Sequence, residues 1–123
     1  MSSRHLVAAI KSVYNLPVLK LSTSIGATGL KVNRIIWVDK FVDKIETKHD
    51  VTIFEVEEVL RGQKKVHRVA KGDVQGEDVY LALGQTDAGR YLAVFFILKR
   101  NRDVLPISAR DMDGKERKRY GRR

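Results

Sequence analysis

Apolar positions from residue 35 to 120 fall into segments whose spacing is first helical, then alternating, then helical again. Ile35, Ile36, Trp37 and Val38 make a short β-favouring run, which predicts a first strand. Asp39 stands where a helix cap belongs. Phe41, Val42, Ile45 and Lys48 then recur at helical spacing through about His49, with Lys40, Asp43, Lys44 and Glu46 on the polar side. Thr52 followed by Glu55 has capping-box spacing, and Ile53, Val56, Val59 and Leu60 form one apolar face that ends at Gly62.

Beyond Gly62 the period drops towards two. KKVHRVA and DVYLALGQT are candidate strands, and TDAGR predicts a hairpin turn built on Asp87 and Gly89. YLAVFFIL is apolar almost throughout, which predicts a central strand covered on both faces. DVLPISAR adds a strand whose Pro106 limits ladder bonding and puts it at an edge or a bulge. Residues from about Met112 to Tyr120 are rich in helix formers and predict a final short helix.

The segment ahead of this pattern differs in composition. Residues 1–38 carry Arg4, Lys11, Lys20, Lys31 and Arg34 but no carboxylate, since Asp39 is the first acidic residue. Within it, HLVAAIKSVY predicts a short amphipathic helix and LSTSIGATG a flexible link. A basic, hydroxyl-rich, acid-poor stretch has the composition of an organelle transit peptide, and the alternative is an upstream extension without function. The expected organisation is a basic extension over 1–32, flexible and outside the core, and one domain over 33–123.

With 24 Lys and Arg against 15 Asp and Glu, the chain has a formal charge of +9, which points to a polyanionic partner such as nucleic acid, or less often a membrane surface. The absence of cysteine removes disulfides, thiolate metal sites and a Cys nucleophile, and fits a reducing cytoplasm. No stretch approaches the roughly 18 apolar residues of a membrane span, so a soluble protein without a membrane partner is expected.

Candidate chemistry is sparse. Of the three histidines, His5 lies in the extension and His67 in an alternating strand, which leaves His49 at a helix end. With Lys48 it forms a basic pair where the helix dipole favours cations and can hold an imidazolium at neutral pH. The structural alternative is an ordinary capping or surface histidine. Arg110 closes a strand and can aim a guanidinium fork at phosphate, although a salt bridge to Asp111 or Glu116 explains it as well. From Arg110 onward there are seven basic and three acidic residues. Glu116 and Tyr120 share a helical face there, and Tyr120 offers a stacking ring or a hydroxyl. Lys and Arg in this tail can track a phosphate backbone, or form no more than a solvated face. There is no HxxxH motif and no Gly-rich phosphate loop, so no metal and no cofactor is expected.

IIWVDKFVDKIETKHDVTIFEVEEVL, DVYLALGQTDAGRYLAVFFIL and ISARDMDGKERKRY, in that order, resemble the BrnT-like toxins of bacterial type II toxin–antitoxin modules. The resemblance implies an α+β fold similar to RelE-type ribonucleases, a small antiparallel sheet packed with helices. It further implies metal-independent endoribonuclease activity in the cytoplasm, held in check by a small antitoxin of the ribbon-helix-helix DNA-binding type, with a heterotetramer as the complex. The family's KH pair falls on Lys48 and His49, its hairpin arginine on Arg90, its ISAR arginine on Arg110, and its terminal element on Glu116, Arg117 and Tyr120. Catalytic roles are thereby expected for Lys48, His49, Arg90, Arg110 and Tyr120, and RNA binding for Arg117, Lys118 and Arg119. Three positions depart from the family pattern: Val38 follows Trp37 where Asp is common, Ile45 stands near the place where Asn commonly precedes the KH pair, and Asp50 follows that pair where Gly is common. The other reading is a catalytically eroded module that retains nucleic-acid or antitoxin binding.

Overall fold

The computed structural model describes residues 30–70 and 78–121, so the helix expected at 5–14 and the link at 21–29 lie outside the described residues. Two helices, α1 (Asp39–His49) and α2 (Ile53–Arg61), precede four strands: β1 (Lys64–Ala70), β2 (Val79–Gln85), β3 (Tyr91–Leu98) and β4 (Val104–Asp111). A short helix, α3 (Gly114–Gly121), follows them. The strands form one antiparallel meander in the order β1-β2-β3-β4, the α+β arrangement that the family resemblance implied.

Strand alternation splits β3 between two cores. Leu92, Val94, Phe96 and Leu98 point to one face, with Val56, Val59 and Leu60 of α2 and Ile45 of α1. Ala93, Phe95 and Ile97 point to the other, with Leu81, Leu83, Leu105, Ile107 and Phe41. The central position expected of YLAVFFIL follows from this double burial. Thr52 and Glu55 form the predicted capping box at the start of α2. The hairpin turn is closed by Thr86 N–H donating to the Arg90 carbonyl at 2.8 Å, and Gly89 supplies the positive φ of 97° that the turn requires.

Pro106 accounts for two features together. The β3–β4 register shifts between Phe95 and Phe96, so that Phe95 faces Ser108 while Phe96 faces Pro106, and the bulge leaves Ile107 unpaired. On its outer edge β4 meets the run that sequence reading made the first strand, and here the expectation is corrected. Val104 N–H donates to the Arg34 carbonyl at 2.9 Å and Ile36 N–H donates to the Val104 carbonyl at 2.8 Å, giving a single parallel bridge at Ile35. The next rung would need an N–H from residue 106, which proline lacks. The run therefore stays irregular although its side chains are β-favouring.

Three further differences are local. Val38, and not Asp39, is the N-cap of α1, and it offers no side-chain acceptor. On α1 only Phe41 and Ile45 are buried, and Lys48 is exposed. The core reaches back past residue 33: Leu30 is buried in it and Val32 packs against it. The final helix starts at Gly114 because Asp113 caps it reciprocally with Glu116, each N–H donating to the other's carboxylate at 2.8–2.9 Å.

Gly84 sets how closely α2 approaches the sheet. A Cβ at this position would stand 2.9 Å from Cγ1 of Val59, a stiff β-branched side chain with no room to retreat. Gly84→Ala is expected to cost about 1–3 kcal/mol through overpacking, read as a fall of several degrees in the thermal melting midpoint, and Val59→Ala in the same chain should restore part of it.

Candidate active site

The C-terminal turn of α1 presents Lys48 and His49, and the chain leaves it through Asp50 in the left-handed conformation, φ 53° and ψ 41°. That conformation costs a residue with a Cβ and is adopted most readily by Gly, and after Gly by Asn and Asp. Asp50 is thus among the residues that can make this helix exit. Asp50 N–H donates to the Ile45 carbonyl and closes the turn.

Arg90, at the end of the hairpin turn, reaches into this exit. Its Nη1 donates to the Asp50 carbonyl at 2.9 Å and to the Glu55 carboxylate at 3.1 Å, while Nε and Nη2 grip Asp111 at 2.7 and 3.2 Å. One guanidinium therefore joins the α1–α2 connection, the start of α2 and the end of β4. The Asp111 carboxylate, ahead of that of Glu55, raises the arginine further above its ordinary range, and Arg90 in turn lowers Asp111. The side chain that sequence reading placed among the catalytic groups has its donors engaged by protein.

Alternation along β4 sends Asp111 and Arg110 to opposite faces. Arg110 lies 5.3 Å above the Phe95 ring and meets Glu116 of α3 in a fork at 2.6 and 2.9 Å, with Nη1 also donating to the Asp111 carbonyl at 3.2 Å. Of the alternatives open for Arg110, the ion pair to Glu116 is present. It uses the two terminal nitrogens, so Nε and one Nη2 hydrogen form a second fork on the side of the guanidinium. The Glu116 hydrogen bond raises Arg110 above its usual range and keeps it charged.

His49 is the group whose environment differs most from expectation. Partial burial lowers its pKa from 6.5, and the positive charges of Lys44, Arg110 and Lys48 lower it further. The helix dipole was expected to hold an imidazolium here, but three neighbouring cations outweigh a half-charge dipole and favour the neutral ring. A neutral imidazole beside a fixed guanidinium can accept a proton from a group that the guanidinium binds.

Tyr120 of α3 packs edge-on against Tyr91, with ring centroids 6.0 Å apart, and Arg117 covers the other ring at 4.0 Å. Arg119 donates to Nε2 of His67 at 2.8 Å, and Lys118 is exposed. Lys48 and His49 thus stand at the end of α1 and Arg110 near the end of β4, with the charges of Lys48 and Arg110 acting on His49. The structure sets Arg117, Arg119 and Tyr120 along α3 and places Arg90 in the clamp behind Asp111. Sequence reading set His67 aside as a strand residue, and its neighbourhood is visible only once α3 lies across the sheet. Among the described residues no group of three His, Asp or Glu side chains converges as a metal site. No helix among them is long and apolar enough to cross a membrane.

Residues 37–116, about two thirds of the chain, match the family model described as the ribonuclease toxin, BrnT, of type II toxin–antitoxin systems. No curated protein matches. The matched stretch contains Lys48, His49, Arg90, Arg110 and Glu116, and ends before Arg117.

The depressed histidines give stability a definite dependence on pH. His49 and His67 both bind protons less readily in the folded state than at the unfolded value of 6.5, so the unfolded chain takes up more protons as pH falls through that value. Their contribution is present above about pH 6.5 and is lost on acidification. Asp103 and Asp111 lie below their ordinary 3.8, and their contribution is lost further down as they protonate. The melting midpoint should fall in two stages on acidification, and a His49→Gln, His67→Gln protein should show a flatter upper stage between pH 7.5 and 5.5.

Proposed function

The chain belongs to the BrnT family, ribonuclease toxins of type II toxin–antitoxin systems, and on that premise we propose that it is an endoribonuclease in which a 2′-hydroxyl attacks the adjacent phosphate. What supports this reading is a partly buried His49 at the exit of α1, its pKa lowered by burial and then by cations that include Arg110, and an Arg110 guanidinium held by Glu116 at the end of β4. His49 takes the proton from the 2′-hydroxyl as its oxygen bonds to phosphorus. Arg110 offers its Nε and Nη2 fork to the phosphoryl oxygens, whose charge grows in the phosphorane. Lys48 gives a proton to the 5′-oxygen as the P–O5′ bond breaks, leaving a 2′,3′-cyclic phosphate and a 5′-hydroxyl. Tyr120 provides a ring for a neighbouring base. Arg90 acts as a positioning residue, because its clamp fixes the loop that carries His49 relative to the strand end that carries Arg110. No step draws on a metal ion.

The family implies a cognate antitoxin. We assign it a ribbon-helix-helix fold, an acidic docking segment suited to the charge of +9, and a complex of two toxins with two antitoxins. The Glu116 contact on Arg110 is the observation that favours a second reading, a module that binds RNA or antitoxin without cutting.

Product chemistry separates the two. The purified protein, incubated with RNA in EDTA, should yield cyclic-phosphate ends. His49→Ala should lower the rate about 10²–10⁴-fold with a melting midpoint close to that of the unaltered protein, and Arg110→Ala about 10²–10³-fold with a lower midpoint, because it also leaves Glu116 without its partner. Because a base must be unprotonated, the rate should fall on the acid side below pH 6.5. RNA binding without product would favour the second reading.

A further inference from the structure

A nucleic-acid strand carries phosphates on either side of the one that reacts, and the sheet register shows where a second cationic group stands. Lys65 pairs with Leu83, Leu83 with Ala93, and Ala93 with Arg110, so Lys65 and Arg110 end one row on the same face. His67, Leu81, Phe95 and Ser108 make the next row on that face. With strands spaced about 4.8 Å apart, β1 lies about 14 Å from β4.

Helix α3 crosses this gap. Glu116 holds Arg110 at the β4 end, and Arg119, one turn further on, reaches β1. There the Arg119 guanidinium donates to Nε2 of His67 at 2.8 Å, while its carbonyl accepts from Nζ of Lys65 at 2.9 Å. An arginine can only donate, so the imidazole nitrogen accepts and the ring is neutral. The charge of Arg119 is thus set against a neutral partner, whereas Arg90 and Arg110 each meet a carboxylate. Two cationic side chains and a polarisable ring converge at a helix end, on the same face as Arg110.

We propose that Lys65, His67 and Arg119 form a second phosphate subsite, which holds a phosphate further along the RNA strand cut at Arg110 and makes the strand run along α3 from β4 towards β1. The inference rests on the ribonuclease reading. A purely structural role, in which Lys65 and His67 cap the end of α3, would affect stability and all substrates alike. The subsite role depends on substrate length.

The experiment compares the unaltered protein with a Lys65→Gln, His67→Gln double variant, whose amides keep hydrogen bonds to α3 without the lysine charge. The probes are a dinucleotide, a pentanucleotide and a non-cleavable 2′-O-methyl pentanucleotide. The variant should bind the 2′-O-methyl strand about tenfold more weakly, as expected for one lost charge-assisted contact, and its salt slope should be lower by about one. KM for the pentanucleotide should rise at least several-fold more than KM for the dinucleotide. Equal effects on both lengths, or unchanged affinity for the 2′-O-methyl strand, would overturn the subsite. Cleavage of neither substrate by the unaltered protein would overturn the ribonuclease reading, while the affinity of the non-cleavable strand would still decide the subsite.

Discussion

Arg90 is the side chain through which the helices are tied by charge to the end of the sheet. It bonds the carbonyl of Asp50, the carboxylate of Glu55 and the carboxylate of Asp111, three groups from three separate elements. Charge-assisted bonds of this kind are directional as well as strong, and a planar fork shared among several acceptors tolerates little movement in any of them. The exit from α1 is consequently fixed relative to β4. At that exit partial burial, followed by the charges of Lys44 and Arg110, lowers the pKa of His49.

The second half of the arrangement is α3. It buries no residue of its own and is held by polar and aromatic contacts: Glu116 to Arg110, Arg119 to His67, and Tyr120 to Tyr91. A helix attached in this way is held chiefly by its charges, and its basic side chains stay at the surface. The strongly basic tail therefore has two jobs that act on the same residues. It orients Arg110 through a carboxylate, and it adds cations along the face where a polyanion would lie.

Much of the fold was legible because local signals agreed with the tertiary outcome. The capping box at Thr52, the Asp-Ala-Gly turn, the apolar run of β3 and the edge position of Pro106 each have a local cause. The first strand failed for a cause outside its own sequence, since the bond it lacked was one that a distant proline could not donate. The site residues Lys48, His49 and Arg110 could be chosen from helix and strand ends, but their protonation could not. The helix dipole is readable in sequence, whereas the burial of His49 and the charge of Arg110 acting on it arise from tertiary packing that no spacing encodes. His67 was passed over for the same reason, because its partner Arg119 lies far along the chain. Arg90 was expected to be catalytic from the family resemblance, which carries over a position and not the carboxylates that surround it.

The central chemical claim is that partial burial, and then the surrounding cations Lys44 and Arg110, lower the pKa of His49. The pH titration of the His49 ring protons by NMR measures this without reference to any substrate. The unaltered protein should give a midpoint below 6.5, and either Arg110→Met, which removes the charge, or Arg90→Gln, which frees the loop, should move it upward. A His49 that titrates at or above 6.5 in the unaltered protein, or that does not respond to either substitution, would contradict the assembly of the site.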